Sequence, residues 1–135
     1  MKTLKQILLI AVILVIGVSV TVAQGAKPKP WEVPAKFKTM KAAIKFDDAA
    51  VNAGKALYNK NCASCHGKTG LGDGPKARGL ETFAGDFSSA DYQKQSDGEF
   101  FYKTKFGRDE MPKYEGKIDD DGIWQLVAYM RTFKK

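Results

Sequence analysis

The sequence predicts a small all-α protein of one folded domain. The chain has 135 residues, a length that suits one domain. Strand signals are absent, whereas helix-capping residues precede apolar residues at helical spacing, and glycine-rich loops separate these segments. A hydrophobic content of 44% and a charged content of 27% are those of an ordinary globular protein. This composition excludes a wholly disordered or collagen-like chain.

The first 23 residues are predicted to be a secretory signal peptide. Lys2 and Lys5 form a positive n-region, and residues 7–22 are an apolar run without charge. A small residue, Ala23, stands directly before the predicted cleavage site. Because the apolar run is long, an uncleaved N-terminal anchor is the alternative, although a comfortable span needs about 20 apolar residues. In both cases the remainder of the chain is expected in the periplasm or an equivalent extracytoplasmic space.

Residues 24–46 are predicted to be a basic linker rich in proline and lysine. Six lysines against one glutamate give it a net charge of +5, and its prolines prevent a regular helix over the first half. The signal segment carries +2, so the total of +7 leaves zero for residues 47–135. Charge on a tether argues against nucleic acid as a partner, since phosphate recognition needs a basic folded face. We expect a solvated spacer, with contact to an anionic membrane surface as the alternative.

The first helix of the folded body is predicted to begin at Asp47 or Asp48 and to run towards Cys62. Aspartate is a favoured N-cap residue because its carboxylate accepts hydrogen bonds from free backbone N–H groups. The apolar and small residues at helical spacing are Val51, Gly54, Leu57 and Tyr58. Residues 66–89 contain six glycines and one proline, so a long loop is expected there.

Two more helices are predicted in the second half of the chain. Ser96 and Glu99 form the pattern of a capping box, and Gly107 is expected to end this short helix. The last helix is predicted to start after the three aspartates at 119–121, whose charges favour the positive end of the helix dipole. Its body, residues 123–133, is apolar nearly all round, which predicts burial against several partners.

Both cysteines and the only histidine of the chain fall in the run Cys62-Ala63-Ser64-Cys65-His66. This is the spacing of c-type haem attachment. Two thiols on one helical turn can each form a thioether with a vinyl group of one porphyrin, and the next histidine can reach the iron. Three alternatives stay open: a zinc site that needs a fourth ligand, a redox dithiol, and a structural disulfide across a short loop.

The motif and the residues after it resemble the class I monohaem cytochromes c over residues 47–135. The downstream run is Gly70-Leu71-Gly72-Asp73-Gly74-Pro75. The resemblance implies a cytochrome c-like bundle of about three main helices around one covalently attached haem c. It also implies that Gly54, Tyr58 and Tyr129 lie where the first and last helices cross. The implied function is that of an exported electron carrier without catalytic turnover of its own.

The resemblance assigns roles to the residues around the haem. Cys62 and Cys65 attach the porphyrin, and His66 is the proximal iron ligand. No second histidine exists, and Met111, followed by proline in the loop between the last two helices, resembles the distal iron ligand of the family. Met130 lies in the terminal helix and is expected to fill the core. If Met111 merely packs, an open site or a lysine ligand is the alternative.

Three further residues are expected near the haem. By resemblance, the carbonyl oxygen of Pro75 accepts a hydrogen bond from the second ring nitrogen of His66, which would fix the imidazole. Trp124 and Phe106 are candidates for packing against the haem, with ordinary core packing as the alternative.

The expected partners are redox proteins that donate and accept electrons, and we expect them to be associated with a membrane. Two alternatives to a free carrier stay open. One is a haem-bearing subunit fixed to a membrane oxidoreductase complex, which the basic linker favours. The other is a catalytic or gas-sensing haem protein with an open sixth position, for which the sequence offers no additional histidine as general acid or base.

Overall fold

The computed structural model describes residues 29–135, and the predicted signal peptide lies outside the described residues. The helices are α1 (Ala35–Lys38), α2 (Asp48–Asn61), α3 (Ala63–His66), α4 (Ala90–Gln93), α5 (Asp97–Phe106) and α6 (Asp120–Arg131), with a 3₁₀ helix at Ala77–Gly79. Within this described part, β structure is limited to isolated bridge residues, among them Arg108 paired with Met111. The prediction of an all-α fold is confirmed. No helix of residues 29–135 is both long and apolar enough to cross a membrane.

Helices α2 and α5 begin at predicted capping residues, whereas α6 begins at Asp120, earlier than the predicted start after Asp121. Asp47 caps α2 and Asp119 caps α6, each accepting a hydrogen bond from a backbone N–H of the first turn. In α5, Ser96 Oγ accepts from the N–H of Glu99 at 3.2 Å, and the Glu99 carboxylate accepts from the N–H of Ser96 at 2.8 Å. Gly107 ends α5 with a φ of 60°. The predicted capping box and helix end are therefore confirmed.

Helices α2 and α6 form the main helix pair, and they cross at Gly54. A Cβ atom at this position would lie 1.9 Å from the carbonyl oxygen of Gln125, so only glycine permits this approach. One turn further along α2, the Tyr58 ring meets the Tyr129 ring edge-on, with centroids 5.3 Å apart. The predicted crossing of the first and last helices is therefore present in the fold.

Helix α6 is buried against α2 and α5, as its apolar sequence predicts. Ile123, Leu126 and Val127 are fully buried. Trp124 stacks on Phe101 of α5 with centroids 4.3 Å apart, and it is 3% exposed. Trp124 is thus an ordinary core residue, which was the alternative to haem packing.

Residues 29–46 pack against α5, which corrects the expectation of a solvated spacer. Val33 and Phe37 are buried, and the Phe37 ring lies 4.8 Å from the ring of Tyr102. Gly98 of α5 permits this contact, since a Cβ there would lie 1.9 Å from the carbonyl oxygen of Phe37. The few apolar residues of the segment lie between lysines whose side chains are exposed. The high net charge therefore gives no indication that one face of the segment is buried.

Phe106, the other candidate for haem packing, also lies in this interface. Its ring is 5.8 Å from the ring of Phe37 and 4.9 Å from that of Tyr102. Among the described residues, neither Phe106 nor Trp124 lines the cavity beside Cys62, Cys65 and His66. Both aromatic residues therefore support helix α5 rather than the cofactor directly.

We expect Gly54→Ala to destabilise the haem-loaded protein, because the new methyl group would meet a backbone carbonyl that cannot move aside. The loss in the free energy of unfolding is expected at the upper end of the about 1–3 kcal/mol that overpacking costs. Denaturant titration measures it. Gly79→Ala is the matched control, since a Cβ there meets no atom within 4 Å. Equal stability of the two variants would contradict the tight crossing.

Candidate functional site

The motif Cys62–His66 forms the end of α2 and the single turn of α3. The N–H groups of Cys65 and His66 both donate to the carbonyl oxygen of Cys62, at 3.1 and 2.9 Å. Both cysteines are free thiols. Because one helical turn carries all three side chains, the two thiols and the imidazole line the same cavity.

The glycine-rich loop wraps around this turn and holds its backbone. The N–H of Gly72 donates to the carbonyl oxygen of His66 at 2.9 Å, and the N–H of Gly74 donates to that of Cys65 at 3.2 Å. A Cβ at Gly74 would lie 2.4 Å from the carbonyl oxygen of Ser64. The glycines that predict a loop are thus the residues that let the chain lie directly against the motif.

The imidazole of His66 stacks on the ring of Phe87, with centroids 4.5 Å apart and planes inclined by 29°. Burial lowers the pKa of His66 to about 4, although a hydrogen bond with the backbone of Ala84 opposes this shift. The imidazole is therefore neutral at pH 7 and keeps a lone pair for a metal. Sequence reasoning missed Phe87, and the available signal was a large aromatic residue within a glycine-rich loop.

The expected hydrogen bond from His66 to Pro75 is not formed, which corrects that expectation. His66 Nδ1 is buried and has no hydrogen-bond partner among the described residues. Pro75 is exposed within a tight turn that the Ala77 N–H closes on the carbonyl oxygen of Gly74 at 2.8 Å. A buried polar atom without a partner is costly, so the ring requires an interaction beyond those of residues 29–135.

The environment of the Cys62 thiol opposes its ionisation. Burial, with a smaller contribution from Cys65, raises the pKa of Cys62 to about 12. Redox-active cysteines and zinc ligands instead need a stabilised thiolate. The environment therefore favours an apolar attachment site over a redox dithiol or a zinc site.

The cavity beside the motif has a volume of about 540 Å³, within the range of cofactor sites. Met111 and Met130 line this cavity together with Cys62, Cys65 and His66. Met111 is half-buried in a loop, whereas Met130 is 4% exposed and belongs to the hydrophobic core. Two thiols, a neutral imidazole and thioether side chains around one apolar cavity fit the donor set of haem c.

The loop that carries Met111 has a defined backbone conformation. The N–H and carbonyl groups of Arg108 and Met111 pair with each other in both directions at 2.9 Å. Asp109, within this tight turn, adopts a left-handed φ of 51°. Gly107 before the turn lies so close that a Cβ would be 2.5 Å from the carbonyl oxygen of Met111. The position of the Met111 backbone is thus set by local geometry.

Glu110 connects the Met111 loop to a second loop that lines the cavity. Its carboxylate accepts hydrogen bonds from the backbone N–H groups of Glu81, at 3.0 Å, and Thr82, at 3.2 Å. After the Met111 loop, the Tyr114 hydroxyl donates to the carbonyl oxygen of Asn61 at 2.7 Å, beside the Cys–His turn. These two contacts anchor the loop at both of its sides.

Comparisons with known proteins agree with this site. The family described as "Cytochrome C oxidase, cbb3-type, subunit III" matches residues 49–130. Cytochrome c550 of Pseudomonas aeruginosa is 33% identical over 95 residues, which are 63% of this chain and 57% of that protein. A solved structure, "KustC0563 c-type cytochrome", has a TM-score of 0.55 and 32% identity, and the match covers 61% of this chain and 98% of that chain.

A longer enzyme also matches. The quinohemoprotein alcohol dehydrogenase of Comamonas testosteroni is 28% identical over 110 residues, which are 82% of this chain and 15% of that enzyme. The chain thus spans 57% and 15% of the lengths of these two curated relatives.

Glu110→Ala is expected to release the amides of Glu81 and Thr82, because both lose a charged acceptor. Their hydrogen exchange should accelerate by about tenfold, and the free energy of unfolding should fall by about 1 kcal/mol. Glu115→Ala, which removes an exposed carboxylate from the same connection between α5 and α6, should leave both amides unchanged. Unaltered exchange at both amides in Glu110→Ala would show that this contact does not hold the loop.

Proposed function

Because the chain belongs to the cbb3-type cytochrome c oxidase subunit III family, we propose that it is an electron carrier that transfers single electrons between redox proteins. Haem c, covalently bound, is the cofactor of this family. One observation carries the proposal: the two thiols and the imidazole of a Cys-x-x-Cys-His turn line one cavity with two methionine side chains. When bound, the haem supplies an iron that alternates between the ferrous and ferric states.

We assign the attachment and the proximal ligand to the Cys–His turn. Cys62 Sγ and Cys65 Sγ would hold the porphyrin through thioethers, and a nitrogen of the His66 imidazole would bind the iron. The stacking on Phe87 and the loop bonds to the turn hold the imidazole in place, so it needs little rearrangement when the charge of the iron changes. A stiff ligand environment is favourable for electron transfer because less of the surroundings has to reorganise.

For the distal ligand we propose Met111 over Met130. Met130 is part of the hydrophobic core on helix α6, and withdrawing its side chain from the core would leave a void. Met111 lies in a loop whose backbone is fixed by the bridge to Arg108 and by the contact of Glu110 with the neighbouring loop. Axial methionine raises the reduction potential of a haem relative to a second histidine.

We propose a carrier without catalytic turnover of its own. A solved c-type cytochrome matches over 98% of its own chain, which supports a domain of this size acting as a unit. The match to the quinohemoprotein alcohol dehydrogenase covers only 15% of that enzyme, so most of the enzyme has no counterpart here. The alternatives of a fixed subunit and of a catalytic or gas-sensing haem protein gain no support from the geometry of the site.

The location and the partners follow from the N-terminal region. We propose that residues 1–23 direct export, so that the haem domain lies outside the cytoplasm and exchanges electrons with redox proteins there. The side chains of Lys36, Lys38, Lys41 and Lys45 are exposed on the docked segment. We propose that they provide the contact with an anionic membrane surface, which attracts about 1 kcal/mol per basic residue close to it.

Covalent attachment is tested by the double variant Cys62→Ala with Cys65→Ala, expressed with its N-terminal segment in cells that mature c-type cytochromes. The wild type should keep haem through denaturing electrophoresis, because thioethers survive where coordination does not. The double variant should lose this stain. Ser64→Ala, which retains both thiols between the same neighbours, should keep it. Haem that remains covalently bound in the double variant would refute the assignment.

The distal ligand is tested by comparing two methionine variants. Met111→Ala should lose the weak long-wavelength iron–sulfur band of the ferric protein, bind carbon monoxide when reduced, and have a lower reduction potential. Met130→Ala should keep the band and lose about 2–5 kcal/mol of stability as a core truncation. Absorption spectra and denaturant titrations separate these results. The opposite pattern would assign the distal ligand to Met130.

A further inference from the structure

Part of the N-terminal segment forms one wall of the haem cavity, although it precedes the family match at residues 49–130. Lys29 and Trp31 line the cavity together with Arg108. The Arg108 guanidinium donates hydrogen bonds to the carbonyl oxygens of Lys29 at 2.9 Å and Pro30 at 3.1 Å. One side chain from the Met111 loop therefore holds the backbone of the N-terminal segment against the cavity.

The indole of Trp31 is held by two cations. The centre of the Arg108 guanidinium lies 4.6 Å from the ring centroid, and the Lys103 Nζ lies 5.8 Å from it. Cation–π contacts of this kind contribute about 0.5–1 kcal/mol at exposed sites. Trp31 is also partly buried against the hydrophobic core. The ring is thus oriented from the side of helix α5 and from the side of the Met111 loop.

The segment behind Trp31 is anchored independently of the cavity. Val33 is 6% exposed and Phe37 is 8% exposed, so both remain in the core while Trp31 reaches the cavity. At the other end of the contact, the backbone of Arg108 pairs with that of Met111. Arg108 therefore connects the N-terminal segment to the loop that carries the proposed distal ligand.

We propose that Trp31, held by Arg108, is a positioning residue that covers the haem and sets its reduction potential by excluding water. This proposal rests on the proposed function, since it requires a haem in the cavity. Water stabilises the more highly charged ferric state, so a covering ring favours the ferrous state. The charge of Lys103, which also lines the cavity, acts in the same direction because it repels the added charge of the ferric iron, whereas the charge of Arg108 is paired with Asp109 at 3.2 Å.

The test compares haem-loaded variants of the full chain by redox titration. Trp31→Ala should shift the ferric-to-ferrous ratio at a fixed ambient potential several-fold towards ferric. Trp31→Phe, which keeps an apolar ring, should restore most of the wild-type ratio. Phe46→Ala is the matched control: Phe46 is an aromatic residue of the same segment that packs on the core, and among residues 29–135 it is not one that lines the cavity.

The control should lose thermal stability without a change in potential, which separates the covering role from general destabilisation. Arg108→Lys keeps the charge but loses the paired donation to two carbonyl groups. Arg108→Lys should lower the reduction potential. In the double variant with Trp31→Ala the potential should be little lower than in Trp31→Ala alone, because both changes remove the same indole from above the haem. An unchanged potential in Trp31→Ala, an equal shift in Phe46→Ala, or fully additive effects would overturn the proposal.

Different experimental results would refute the proposed function and the role of Trp31. If the wild-type protein carried no covalent haem or showed no reversible one-electron titration, the proposed function itself would be wrong. If all variants carried haem and titrated reversibly at the same potential, the electron carrier would stand and only the role of Trp31 would be refuted.

Discussion

The close approach of helices α2 and α6 at Gly54 is the constraint on which the rest of the structure depends. The carbonyl oxygen of Gln125 occupies the space of a side chain, so the two helices can cross in this register with glycine alone. One turn later, the hydroxyl of Tyr58 donates to the carbonyl oxygen of Gly67 at 2.8 Å. This hydrogen bond links the crossing to the residue directly after His66. The position of the Cys–His turn is therefore tied to the main helix pair.

The cavity arises because several loops converge on the end of α2. The glycine-rich loop supports the Cys–His turn from behind, and Phe87 places a flat apolar surface against the imidazole. The connection between α5 and α6 brings Met111 to the same cavity, while α6 itself brings Met130. Burial of the imidazole and of the Cys62 thiol keeps both groups uncharged, which suits attachment to an apolar, planar group more than it suits hydrolytic or redox thiol chemistry.

Residues 29–46 pack on the folded domain, a role that their charge pattern does not predict. Their net charge predicts a solvated tether, and most of their lysines are indeed exposed. Val33 and Phe37, however, are buried, and helix α5 provides a complementary surface at Gly98. This surface belongs to a helix about sixty residues further along the chain, so nothing in the local sequence of the segment reveals it. The apolar residues of this segment that pack on the core are too widely spaced among lysines and prolines to stand out in the sequence.

The sequence by itself determined the helical class, the capping residues Asp47 and Ser96, and the Cys–His motif, because each depends on neighbours within a few residues. Only the tertiary structure decided which side chains meet around the cavity. Glu110 and Trp31 line it from separate segments, and Phe87 stacks on the His66 imidazole from a third, so these contacts span long stretches of chain. The predicted bond between His66 and Pro75 failed for the same reason, since a loop's path depends on what it packs against. Local interactions determine elements, whereas contacts between distant segments determine sites.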